Sequence, residues 1–164
     1  MGPDDTVSAT RGKRAPSKEP REGCMRAEVN TPPSDAPLRM PVRVSVALHE
    51  QAPGGDHLDL FVGPAVAASP DEPSARCWRL PCGAWTPEGL ARGRFAATEL
   101  APHRAEYLDL TEPRVLSGGR GRAVPLAKGS GWMSGGQLEA LGRLIAFNPD
   151  GVVEISLSTA QEGR

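Results

Sequence analysis

Lysine is nearly missing from this chain, appearing only at Lys13, Lys18 and Lys128. Arginine supplies the remaining positive charge, and a close acidic balance leaves a formal net charge of −1. That balance excludes attachment to duplex nucleic acid by bulk electrostatics, while leaving room for a local basic pocket. The arginine bias fits a GC-rich genome as readily as phosphate binding. No apolar run approaches the roughly 18 residues that a membrane-spanning helix needs, and the N-terminus lacks the apolar core of a signal peptide. A soluble, cytoplasmic protein with no membrane partner is therefore expected. Cysteine is scarce and odd in number: Cys24, Cys77 and Cys82 lack the paired spacing of a metal site. Buried thiols in a reducing cytosol are expected in preference to a Cys77–Cys82 disulfide.

What the chain does have is alternation. Val42, Val44, Val46 and Leu48 recur at every second position, as do Leu58, Leu60 and Val62. Between the two runs lies Gln51-Ala52-Pro53-Gly54-Gly55, so the stretch reads as a β-hairpin. Successive strand side chains point to opposite faces, so His57 and Asp59 project together. A register that opposes His49 to His57 brings two imidazoles and a carboxylate within a few ångströms. That donor set suits manganese, iron or zinc and leaves coordination positions open. A surface or hydrogen-bonded histidine is the competing reading, since a His-x-Asp triplet alone is a weak signal.

The segment from Met1 to about Arg39 is rich in Pro, Ser and charged residues and poor in large apolar ones. It cannot bury enough surface to offset its ordering entropy, so residues 1–40 are expected to form a disordered tail. The remaining chain is long enough for one domain, placed at 41–159, with a short tail at 160–164. Ala75 to Leu80 reads as a strand ended by Pro81, and Thr86 to Leu90 as a turn or a single helical turn. Arg143–Phe147 and Val152–Leu157 flank the turn Asn148-Pro149-Asp150-Gly151 and read as a second hairpin. Gln137 to Leu141 fits either a strand or a helical turn. Ser117-Gly-Gly-Arg120-Gly-Arg122 fits an anion-binding loop or a plain β-turn with surface arginines. Many short strands with Gly/Pro turns and no long helix indicate a small all-β barrel or sandwich.

Five pieces in order carry a resemblance: His49-Glu50, His57-Leu-Asp59-Leu, Trp78-Arg-Leu-Pro81, His103-Arg-Ala-Glu-Tyr107-Leu-Asp and Ser117-Gly-Gly-Arg-Gly121. Together they resemble the 3′-phosphoesterase domain of bacterial DNA ligase D, especially its short stand-alone relatives. The likeness spans residues 42–158, and all three histidines and the single tyrosine fall on motif positions. It implies a compact β-barrel and a manganese-dependent trimming of nucleic-acid 3′ ends in DNA repair, removing a terminal ribonucleoside and then the 3′-phosphate. It further implies His49, His57 and Asp59 as metal ligands, and His103 and Tyr107 as contacts to the scissile phosphate. A separate ligase or polymerase is the implied partner, and a monomer is expected. The chain departs from the family at Phe61, where the His-x-Asp-x-Arg motif has a phosphate-binding arginine. Arg94 stands for a second family arginine, and Arg104 and Arg120 are candidate substitutes. The departure motivates an alternative: a catalytically weakened relative that binds a nucleic-acid end or a repair partner.

Overall fold

The computed structural model describes residues 37–66 and 69–158. The expected tail therefore lies outside the described residues, apart from its last four positions. Ten strands follow in order: β1 (Met40–Glu50), β2 (His57–Pro64), β3 (Ala75–Leu80), β4 (Arg94–Ala96), β5 (Thr98–His103), β6 (Arg114–Val115), β7 (Arg122–Ser134), β8 (Gln137–Ala140), β9 (Arg143–Phe147) and β10 (Val152–Leu157). One short helix, α1 (Pro87–Arg92), lies between β3 and β4. It starts where the Thr86 side chain accepts the Gly89 N–H, with Pro87 in its first turn, and stops at Gly93 with φ of 72°.

The hairpin expected at residues 42–62 is β1–β2, paired antiparallel with His49 directly opposite His57. The second hairpin is β9–β10, with the strand bounds read from the sequence. Gln137 to Ala140 is a strand. The longest strand, β7, escaped the sequence pattern because Pro125, Gly129 and Gly131 interrupt it. Structure accommodates the proline at a bulge: Val46 pairs with Ala127 but Ala47 with Pro125, leaving Leu126 as the extra residue. Pro102 is tolerated on β5 for a related reason, since β5 is an edge strand whose register against β3 also shifts.

Strand order is β4-β10-β9-β8-β7-β1-β2-β3-β5, with β6 attached to β7. The main core joins Val44, Val46, Leu58, Leu60, Trp78, Phe95, Leu138, Ile145 and Ile155, drawn from strands right across that order. Trp78 of β3 stacks on Phe147 of β9 at 4.2 Å between ring centroids. A sheet can bury its own face this way only by curling. The hydrogen-bonded ladder does not close, however. Its two edge strands, β4 and β5, follow each other in sequence with only Ala97 between them, so the chain itself spans the seam. The fold is all-β, a curled sheet approaching a barrel. No helix among the described residues is long and apolar enough to cross a membrane.

Leu60 is fully buried between Val46 and Trp78. Leu60→Ala should lower stability by about 2–5 kcal/mol in urea unfolding, whereas Leu126→Ala on the exposed bulge should change it by about 0.5 kcal/mol or less. Equal effects at the two positions would contradict the assignment of the core face.

Candidate metal centre and adjoining cleft

Period-two geometry gives β1 and β2 a second face, opposite the main core. On it stand Ser45, Ala47 and His49 from β1 and His57, Asp59 and Phe61 from β2. His49 and His57 are cross-strand partners with ring centroids 4.6 Å apart. Asp59 reaches both: its Oδ2 lies 3.3 Å from His49 Nδ1, and its Oδ1 lies 3.5 Å from His57 Nε2. One ligand atom from each residue falls within 4.8 Å of the others, and the group could hold a metal ion.

Backbone carbonyls fix the roles of the ring nitrogens. His57 Nδ1 donates to the Gly55 carbonyl at 2.9 Å, and His49 Nε2 donates to the Arg120 carbonyl at 2.5 Å. A carbonyl only accepts, so the protons sit on those nitrogens. In the neutral rings, His57 Nε2 and His49 Nδ1 then present lone pairs to a carboxylate that also only accepts. His57 Nε2 and Asp59 Oδ1 are shielded from solvent and have no hydrogen-bond partner. Facing acceptors in a buried site are costly unless a cation or a proton lies between them. Two imidazoles and a carboxylate, with carbonyls orienting the rings from behind, fit a divalent cation.

Local sequence explains the carbonyl positions. Gly55 takes φ of 88° at the end of the hairpin loop, and its N–H donates to the Ala52 carbonyl. Gly121, also at φ of 88°, lets the chain pass so close to β1 that a Cβ there would strike the Glu50 carbonyl oxygen. The close approach delivers the Arg120 carbonyl to His49.

Phe61 follows Asp59 by two residues on the same face and carries the second apolar cluster with Ala47, Ala75, Cys77, Ala105 and Leu108. His103, the last residue of β5, and Tyr107, in the 3-10 turn Ala105–Leu108, rest on its ring at centroid distances of 5.4 and 5.2 Å. Ser45 Oγ donates to the Tyr107 carbonyl at 2.7 Å and ties that turn to β1. His103 Nδ1 donates to the Ala101 carbonyl at 2.8 Å, leaving Nε2 as its available atom. Burial, reinforced by the nearby Asp59 charge and opposed by Arg79, pushes the Cys77 thiol far above its ordinary range. Burial there favours the neutral thiol. Cys77 and Cys82 are both free.

A cleft of about 580 Å³ holds His103, Arg104, Tyr107, Arg114, Ser117 and Arg120 among its lining residues. Its three arginines, 104, 114 and 120, face two carboxylates, Asp71 and Glu106, so one positive charge is left over. Arg114 pairs with Glu106 at 2.8 Å, which holds its guanidinium charged above the usual range. Arg104 lies farther from its acids, 3.6 Å from Asp71 and 3.7 Å from Glu106. Among the described residues Arg120 donates only to Ser117, to its carbonyl and hydroxyl oxygens.

Structure thus brings His49, His57 and Asp59 together and gathers His103, Tyr107, Arg104 and Arg120 along one cleft. Arg94 does not join them. It sits on β4, paired with β10, its guanidinium 3.3 Å from Glu154, and it lines a different depression. The candidate role of Arg94 in phosphate binding is corrected accordingly: position along the chain suggested it, but edge pairing carries it elsewhere. Ser117 joins the cleft from the glycine-rich loop already noted, and Arg114 joins it without having been singled out, because the β6–β7 pairing that positions it has no clear pattern in the sequence.

Comparison with protein-family models, curated proteins and solved structures finds no match to the chain.

Adding manganese or zinc should raise the melting temperature, since a ligand at a hundredfold excess over its Kd stabilises the folded state by about 2.7 kcal/mol. His57→Ala should abolish the shift. A wild-type melting curve indifferent to both ions would leave the three residues as a polar cluster without a metal role.

Proposed function

We propose that the protein is a metal-dependent phosphoesterase acting on nucleic-acid 3′ ends, removing a terminal 3′-phosphate or 3′-ribonucleotide. The observation that carries this reading is the convergence of His49, His57 and Asp59, two of whose buried atoms have no partner, beside a net-positive cleft lined by His103 and Tyr107. Manganese is the expected ion; bound there, it would withdraw charge from a phosphate oxygen.

The chain's own residues divide the remaining work. Arg104, Arg114 and Arg120 attract and orient the phosphate along the cleft, where guanidinium forks match its oxygens. The Tyr107 hydroxyl donates to a phosphate oxygen. His103, with Nδ1–H committed to the Ala101 carbonyl, acts in its doubly protonated form: Nε2–H gives its proton to the departing ester oxygen as the P–O bond breaks, while water adds at phosphorus and releases a proton to solvent. Fixed donors aimed at growing negative charge are what such a transition state requires. An end repaired in this way would pass to a ligase or polymerase on a separate chain, and the esterase would work as a monomer.

One observation favours a second reading, a module that binds a nucleic-acid end or a repair partner without turning it over. Phe61 places an apolar ring between Asp59 and the pair His103 and Tyr107. The two readings part at His103.

Purified protein with manganese should release phosphate or nucleoside from a primer ending in a 3′-phosphate or a 3′-ribonucleotide. His103→Ala should slow that release by about a hundredfold or more, as loss of a general acid does, while the manganese-dependent melting shift persists. Wild-type protein that binds manganese yet releases no product would overturn the esterase and leave the binding module.

A further inference from the structure

We infer that Arg79 is a phosphate-gripping residue of the metal centre, holding substrate oxygens from the β3 side, opposite the loop that carries Arg120. The inference rests on the phosphoesterase reading and adds a binding group to the same site.

In the β2–β3 ladder Arg79 lies directly across from Asp59. Opposed residues share a face, with Cβ atoms about 4.5–5.5 Å apart. Alternation along β3 agrees: Trp78 and Leu80 enter the main core, while Cys77 belongs to the second cluster with Phe61. Arg79 therefore stands on the face of the three ligand residues, and its side chain is exposed.

An arginine so close to a carboxylate ordinarily pairs with it. Three residues earlier on the same strand, Arg76 does so, reaching Glu99 of β5 at 2.8 Å. Arg79 does not. Asp59 turns both oxygens to the imidazoles, at 3.3 and 3.5 Å. On its other side, Arg79 faces Thr98, which is neutral. Among the described residues Arg79 makes no hydrogen bond or ion pair, so its fork is free for a bidentate phosphate contact.

Charge gives this placement a consequence that a packing role would not. With a divalent cation held by one carboxylate and two neutral imidazoles, the centre carries net charge +1, and Arg79 adds a like charge beside it. A phosphate bridging the two relieves the repulsion. Removing Arg79 should therefore weaken phosphate binding while leaving metal affinity unchanged or raised.

Calorimetry separates the cases: manganese is titrated into wild type, Arg79→Ala and Arg79→Lys, and inorganic phosphate is then titrated into each loaded protein. The Ala variant should lose about tenfold or more in phosphate affinity, the worth of a charge-assisted contact, with Lys intermediate and manganese affinity undiminished. Phosphate binding as tight in Arg79→Ala as in wild type would overturn the role of Arg79 and leave the esterase standing. So would loaded wild-type protein that binds no phosphate. Wild-type protein that takes up no manganese would remove the centre itself, and both readings would fall.

Discussion

Eight cross-strand pairs between β1 and β2 set two things at once. They put Val42, Val44, Val46, Leu58, Leu60 and Val62 into the main core, and they put His49, His57 and Asp59 together on the reverse face. Because the side-chain period is two, a one-residue slip of either strand would exchange its faces. The core decides which register wins. Six buried aliphatic side chains are worth on the order of 10 kcal/mol gross, whereas desolvating an ion-free carboxylate among imidazoles costs several kcal/mol. The apolar face can thus hold the polar cluster in place even though that cluster, by itself, opposes folding.

The reverse face is divided along the strands. Toward the hairpin loop lie the three candidate ligands. Toward the other end lie Phe61, Cys77 and Ala75, covered by Ala105 and Leu108. The 3-10 turn Ala105–Leu108 seats Tyr107 above Phe61, and Ser45 anchors that turn. The apolar half dries the border of the polar half, which strengthens any electrostatic interaction made there. It also puts an aromatic ring on the path from Asp59 to His103. Both are consequences of one residue, Phe61.

Most of this was legible where a local pattern decides the outcome. Alternation marked β1 and β2, turn chemistry marked β9 and β10, a terminating proline marked β3, and a short loop around Pro53 permitted the opposition of His49 to His57. Legibility failed wherever a long-range partner decides. Pro125 and the glycines hid β7 from the sequence pattern because the bulge that absorbs the proline depends on pairing with β1. Arg79 shares its parity with Cys77 in the sequence, yet its position opposite Asp59 depends on a β2–β3 register set across residues 65–74. Arg94 fails for the same reason in reverse, since pairing with β10 carries it away from the cleft. The carbonyls of Gly55, Ala101 and Arg120 are not themselves marked in the sequence, because any residue provides one; only the glycines at 55 and 121 hint at where two of them stand.

Those carbonyls nevertheless decide what each histidine can do. His57 and His103 use the same local device, a ring Nδ1 donating to the carbonyl two residues earlier. His49 reaches the same result through Nε2 and the Arg120 carbonyl. Each ring is left with a single nitrogen of defined direction and role. For His49 and His57 that nitrogen faces the Asp59 carboxylate in a buried site, an arrangement that calls for a cation. For His103 no carboxylate lies within ion-pair distance among the described residues, and the ring borders a positive cleft, which suits proton exchange with a phosphate ester. The difference between a ligand histidine and an acid–base histidine in this chain is therefore not in the imidazole or its immediate backbone contact. It lies in what the fold sets across from the second nitrogen, and the β1–β2 register and the β5 edge set it separately.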